Sequence, residues 1–315
     1  MIDARTGDVL VAASMPRFNP ATVRKDYKQL IEDPDRPLIN RAASGLYPMG
    51  SVFKVVVALA GLETGVLPEG EGKTYYCDGR FQLGRRVFGC LGHHGDVGLR
   101  NAIKKSCNIF FYKLAIEMGA AQVADWAGRL GLGVDAGAEI GFVAPGYVPS
   151  PRTEATWSKG ETANLAIGQG KLQATPLQVA RLMAVFANGG YLVSPRIRQQ
   201  DPPRQERIAD SPQLVRHLDR ISEAMRAVVN ERGGTGYKHG RPETVRLCAK
   251  TGTAQASRGR YHGWYAGYTL DRAGRGRYAF AVILEDITKR EGGGSTAGPV
   301  AKAFFDRIAD SLEER

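Results

Sequence analysis

Tyr47-Pro48-Met49-Gly50-Ser51-Val52-Phe53-Lys54 runs directly into Val55-Val56-Val57-Ala58-Leu59-Ala60-Gly61-Leu62. The apolar positions 52, 53, 55, 56, 59 and 62 predict a helix over Ser51 to Thr64, stopped by Gly65. On a helix, residues three apart share a face, so the Ser51 hydroxyl and the Lys54 amine can meet. Ser51 sits at the helix N-terminus, where the peptide dipoles favour a developing negative charge. A lysine on an apolar face is desolvated, which lowers its pKa toward that of a usable base. The plainer reading makes Ser51 an N-cap and Lys54 a snorkelling side chain. A Ser-x-x-Lys arises by chance about once in a chain of this length, so the pair alone decides nothing.

Two further stretches change the balance. Ser106-Cys107-Asn108 lies inside a helical pattern expected over Leu99 to Met118; alone it reads as polar residues on an amphipathic helix. Lys250-Thr251-Gly252-Thr253 ends a strand-like run that starts at Val245. A glycine there lets a ligand backbone approach, and two hydroxyls plus an ammonium can hold a carboxylate.

Around these motifs the pattern is one early strand, many helices, then a β-rich end. Asp8 to Ser14 reads as a strand, and residues 16–48 as an irregular connection. Residues 66–98 hold eight glycines, two cysteines and two adjacent histidines, with no convincing secondary structure. A helix is expected over residues 120–130. Thr175-Pro176 and Ser211-Pro212 each open a further helix, the second running to about Asn230. Residues 245–254, 261–269 and 277–285 suggest an antiparallel meander, joined by the N-terminal strand, and a helix over about 298–312 ends the chain.

The 315 residues are 43% hydrophobic and 24% charged, an ordinary globular balance. The longest uncharged apolar run, Val55 to Leu62, falls short of the ~20 residues a membrane helix needs. Asp3, Arg5 and Asp8 do not read as a signal peptide. Lysine and arginine total 43 against 32 acids, for a net +11. The basic residues are scattered, however. Their densest stretch, Arg196 to Arg207, is diluted by Asp201, Pro202, Pro203 and Glu206 and reads as a solvated loop, so no nucleic-acid partner is expected.

The three motifs, in this order, resemble those of the penicillin-binding protein and serine β-lactamase superfamily. The resemblance covers essentially the whole chain. It is closest to the transpeptidase domain of class B penicillin-binding proteins, especially the elongation-type penicillin-binding protein 2 group. Asn40-Arg41-Ala42, Tyr47-Pro48, Gly168-Gln169-Gly170, Thr175-Pro176-Leu177-Gln178 and Lys250 to Gln255 also match. The resemblance implies an α+β fold: an antiparallel sheet with flanking helices and an all-helical subdomain. It implies a single domain over 1–315, with an α/β part at about 1–60 and 165–315 and a helical and glycine-rich part at about 61–164. It also implies a peptidoglycan D,D-transpeptidase acting on D-Ala-D-Ala stem peptides during elongation, and acylation by β-lactams.

Residue by residue, the resemblance makes Ser51 the nucleophile and Lys54 its base. Ser106 relays a proton to the leaving amine, and Asn108 orients Lys54 and the substrate amide. Lys250, Thr251 and Thr253, with Gly252 between them, bind the terminal carboxylate. The Ser51 and Thr253 amides form the oxyanion hole, and the donor lies along the meander edge like an added strand. A D,D-carboxypeptidase, a β-lactamase or a non-turnover β-lactam sensor uses the same motifs. Class D lactamases, and sensors like them, carry a hydrophobic residue where Asn108 stands. Class A lactamases need a glutamate followed four residues on by asparagine, a spacing Glu161 lacks. Members of this class act on the extracytoplasmic face of the membrane, behind an anchor and a non-catalytic domain, neither of which is found here, and often with a membrane glycosyltransferase partner.

The cysteines pose a separate question. Cys77-x12-Cys90-x3-His94-x12-Cys107 offers four soft ligands, the number a closed tetrahedral zinc site needs, and would order the glycine-rich loop. Some penicillin-binding protein 2 relatives carry zinc here on Asp, Asp, His and Cys, which align with Cys77, His94 and Cys107 and less surely with Cys90. His93 is the competing histidine, and a Cys77–Cys90 disulfide with free thiols is the competing chemistry. Cys248 is expected to be a small buried residue.

Overall fold

The computed structural model describes residues 1–70, 72–137, 143–198, 202–256, 259–288 and 291–313. Strands β8 (Arg246–Gln255), β9 (Tyr261–Leu270) and β10 (Gly276–Ile287) form the expected antiparallel meander. Strand β1 (Ile2–Asp3) adds to β10, giving the order β1-β10-β9-β8.

Side chains alternate across the sheet. Leu247, Ala249, Tyr265 and Phe280 pack under helix α9 (Ala297–Glu313), where Phe280 meets Phe305 edge to face at 4.8 Å. Cys248, Ala254, Trp264 and Ala266 face the larger core, with helices α2 (Lys54–Glu63) and α7 (Pro176–Ala187). Lys250 shares the parity of Cys248 and Ala254, so its ammonium enters the helical side of the sheet. Helix α8 (Leu214–Asn230) buries Leu214, Leu218, Ile221, Met225 and Val228 at helical spacing. Its His217 Nδ1 meets Glu63 Oε1 at 2.6 Å, both buried, which fixes the far end of α2.

Helix α2 is apolar on every side and every residue from Lys54 to Leu62 is buried, so it runs through the core rather than along its surface. A 3₁₀ turn, Gly50–Phe53, precedes it and carries Ser51. Helices α6 (Lys159–Ala166) and α7 each open on a capping box, Ser158 with Glu161 and Thr175 with Gln178.

Four expectations need correction. Asp8 to Ser14 is not a strand: β1 takes the place beside β10, and this segment bonds to the far side of Met1 through Leu10 and Val11. Residues 16–48 contain helix α1 (Val23–Glu32); its Val23, Tyr27, Leu30 and Ile31 recur at helical spacing, although none of its residues is fully buried. Residues 66–98 are not structureless. Strand β2 (Tyr75–Cys77) pairs with β5 (Gly95–Val97), and β3 (Arg80–Leu83) with β4 (Arg86–Gly89). The single helix expected over Leu99 to Met118 is two, α3 (Leu99–Lys104) and α4 (Asn108–Met118). They part where Ser106 takes φ 55°. Helix α5 (Ala120–Arg129) lies where expected. Within the basic stretch, β7 (Gln205–Arg207) is an exposed strand pairing with β6 (Tyr191–Val193), and residues 199–201 lie outside the described residues.

Candidate active site

The 3₁₀ turn is pressed against β8. Gly50 has φ 54° and donates its N–H to Gly168 O at 2.9 Å, and a Cβ there would lie 2.6 Å from Thr253 O. A Cβ on Gly252 would lie 2.9 Å from Val52 and 3.0 Å from Met49 O, so a glycine lets the strand approach the turn this closely. Trp264 Nε1 donates to Pro48 O at 2.9 Å and ties the turn to β9. The three motifs, far apart in sequence, thus converge on one place.

Lys54 Nζ, fully buried, donates to Ser106 O at 2.7 Å, to Ser106 Oγ at 3.1 Å and to Asn108 Oδ1 at 2.6 Å. Lys250, also fully buried, donates to the same Ser106 Oγ at 2.9 Å and to Thr251 O at 2.9 Å. One hydroxyl therefore joins two ammonium groups. Burial pulls Lys54 down to about 7, against the opposing pull of the Cys90 and Cys107 sulfurs. Burial, with Lys54 as a like charge, holds Lys250 well below the usual lysine range. Near neutral pH this site can hold one lysine as a free amine beside Ser51.

The sequence reading missed three contacts around Thr251 and Thr253. Thr235 Oγ1 lies 2.6 Å from Thr251 Oγ1, Gly293 N donates to Thr253 Oγ1 at 3.4 Å, and Gln169 bonds the edge of β8. Gly233-Gly234-Thr235-Gly236 and Gly292-Gly293-Gly294 are turn signals, but nothing local said which strand they would meet. Glu161 is spent on the cap of α6, where its Oε2 accepts from Ser158 N at 2.7 Å.

Cys77, Cys90, His94 and Cys107 come together on the other side of residues 106–108, with their ligand atoms all within 4.8 Å of one another. Cys77 Sγ lies 3.4 Å and Cys90 Sγ 3.6 Å from His94 Nδ1, and Cys90 Sγ lies 3.9 Å from Cys107 Sγ. Bonds of ~2.3 Å to sulfur and ~2.0 Å to nitrogen imply tetrahedral edges of about 3.5 to 3.8 Å. Three of the six donor–donor edges, at 3.4–3.9 Å, match that spacing, and the others lie within 4.8 Å. None of the four cysteines is joined in a disulfide in this structure. His93 instead packs its ring near Gly79. Donation from Cys107, with amide donors at Gly92, Asn108 and Ile109, lowers Cys90 to about 4, and the same contact with Cys90 pushes the Cys107 thiol up. Cys248 is buried under the sheet and raised to about 11 by that burial.

A serine one turn from a buried lysine, with a second buried lysine sharing one hydroxyl, defines a serine acyl-transfer site. Residues 1–306 match the family described as the penicillin binding protein transpeptidase domain, and the chain belongs to that family. Among individual proteins it is 34% identical to the peptidoglycan D,D-transpeptidase MrdA of Acinetobacter baumannii, over 97% of this chain and 49% of that protein. The penicillin-binding protein PBP2 of Helicobacter pylori superposes with a TM-score of 0.89 at 28% identity, over 98% of this chain and 59% of that one. That protein has also been solved in complex with MreC. A ceftriaxone acyl-enzyme complex of penicillin-binding protein A from M. tuberculosis superposes with a TM-score of 0.82 at 27% identity, over 97% of this chain and 72% of that one. The chain spans about half the length of the curated relatives it matches.

Proposed function

We propose that this chain is the acyl-transfer domain of an elongation-type peptidoglycan D,D-transpeptidase. The observation that carries the reading is the Ser106 hydroxyl shared by two buried lysines next to the turn that holds Ser51. Lys54, as the free amine, takes the proton of Ser51 as its oxygen attacks the penultimate D-Ala carbonyl. The Ser51 and Thr253 amides receive the oxyanion, each worth ~3 kcal/mol in such sites. Ser106 passes the proton to the departing D-Ala nitrogen, the C–N bond breaks, and an acyl-Ser51 ester remains. An amine of a second stem peptide then attacks the ester and regenerates Ser51. Lys250, Thr251 and Thr253 hold the terminal carboxylate of the donor.

A β-lactam meets the same groups, but its ring amine stays tethered. Glu161 is engaged in a helix cap, which favours a long-lived adduct over lactamase turnover. The relatives' names support the peptidoglycan substrate, and complexes of relatives with MreC and in a peptidoglycan synthase support partners of that kind. The resemblance to class B proteins adds the extracytoplasmic face of the membrane and a membrane glycosyltransferase partner. We place one structural Zn²⁺ on Cys77, Cys90, His94 and Cys107, supported by tetrahedral spacing and a soft donor set. Zinc bound there crosslinks β2, the 90–94 turn and the start of α4, and takes no part in the acyl transfer.

The test is a mass and peptide map after incubation with benzylpenicillin. One adduct should sit on the peptide containing Ser51, persist for many minutes after free drug is removed, and vanish in Ser51→Ala. An adduct elsewhere, or rapid repeated hydrolysis of a chromogenic cephalosporin, would overturn the reading.

A further inference from the structure

We propose that the Gln169 side-chain amide is a placeholder for the donor peptide on the open edge of β8, and that it tempers the preference of the site for donors with an N–H at that position. The inference rests on the acyl-transfer reading. Among the described residues β8 pairs with β9 alone, so its other edge faces the site. On that edge Gln169 Nε2 donates to Thr253 O at 3.3 Å, and Gln169 Oε1 accepts from Gln255 N at 3.3 Å. One primary amide thus satisfies the carbonyl before Ala254 and the N–H after it. A strand laid parallel to β8 makes the same pair of bonds around one residue.

The backbone of Gln169 is held elsewhere. Gly168 accepts from Gly50 N at 2.9 Å, and Gln169 N donates to Asn164 O at 2.9 Å. Gly168 itself has φ 69°, and a Cβ there would lie 2.2 Å from Gly50 O. The anchor is therefore the turn of Ser51 and the end of α6, while the side chain is half-buried and joined to the strand only by two long bonds. It can swing away without disturbing either anchor.

A donor aligned along β8 offers its own N–H to Thr253 O and must displace Gln169. A ligand without that N–H leaves Gln169 in place. Until a donor arrives, the amide also keeps an edge strand from pairing with unrelated chains.

The experiment compares second-order acylation constants for benzylpenicillin, which carries a side-chain amide N–H, and penicillanic acid, which lacks it. It is run on the unsubstituted chain, Gln169→Ala and Gln169→Glu. Glutamate still accepts from Gln255 N but cannot donate to Thr253 O. The ratio of the two constants, taken within each variant, is independent of the folded fraction. It should rise about two- to tenfold in both variants, the span of one exchanged hydrogen bond. A ratio that is unchanged or lower in either variant overturns the placeholder role. Failure of both compounds to acylate Ser51 in the unsubstituted chain would overturn the acyl-transfer reading, and the inference with it.

Discussion

Residues 106–108 divide two polar clusters of opposite construction. On one side Lys54, Ser106, Asn108 and Lys250 hang on a core helix and a central run of β8, and their buried donors meet protein acceptors at 2.6–3.1 Å. On the other, Cys77 ends a strand of three residues, and Cys90 and His94 flank strands of four and three residues, with Cys77 and Cys107 in the main core. The first cluster is rigid because its scaffold is. The second is built on short paired strands with donors close together, so a bound ion would add a crosslink to them. Cys107 lies between Ser106 and Asn108, and Cys90 Sγ accepts from Asn108 N at 3.2 Å. A displacement of the loop would therefore reach the catalytic side.

The largest effect should come from the rigid side. Lys54→Ala should slow acylation of Ser51 by about 10²- to 10⁴-fold, the span of a positioned base, with little change in the far-ultraviolet spectrum. Lys250→Ala should weaken acylation less and selectively lower the rate for carboxylate-bearing substrates. Near-normal acylation by Lys54→Ala would move the base elsewhere and break the contrast at its first term.

The loop side should respond to metal. Elemental analysis of protein purified without chelator should find about one zinc per chain. Cys77→Ser should lower the zinc content and the melting temperature together and slow acylation, whereas Cys248→Ser should leave the zinc content unchanged. A disulfide would give the reverse pattern, with sensitivity to reductant and indifference to chelator. Well under one zinc per chain, with Cys77 and Cys90 two hydrogens light, would remove the metal from the account.

Legibility in the sequence follows the same division. The meander, α7 and α8 were readable because long apolar periods and proline caps are local signals. Ser51, Lys54 and Lys250 were readable because their motifs are contiguous and ordered. The break at Ser106 was not: Ser106 is the left-handed residue that closes α3, with its N–H bonded to Ile103 O and Cys107 N–H to Ala102 O, a place where sequence reading looks for glycine or asparagine. The short loop strands escaped because three residues carry too little pattern to see. Thr235 and Gln169 escaped because their partners lie on β8, 16 and more than 80 residues away.

The smallest effect should come from outside both clusters. Glu231 is held at about 2 by Arg100 and Lys104, whose ion pairs are part-exposed. Such pairs contribute about 0–1 kcal/mol. Glu231→Gln should shift the melting temperature by a few degrees at most and leave the acylation rate unchanged. A large loss of acylation would mean that the Lys104–Thr235 contact, at 3.3 Å, carries the network into the site.

The most direct test of the central claim is the pH dependence of Ser51 acylation by benzylpenicillin, read as the second-order rate constant. Lys54 must be neutral to accept the proton, and burial lowers it to about 7. The rate should therefore climb through a midpoint near pH 7 as the pH is raised, and that limb should be missing from the residual rate of Lys54→Ala. A limb near pH 10, or one that survives in Lys54→Ala, would contradict the assignment of Lys54 as the base.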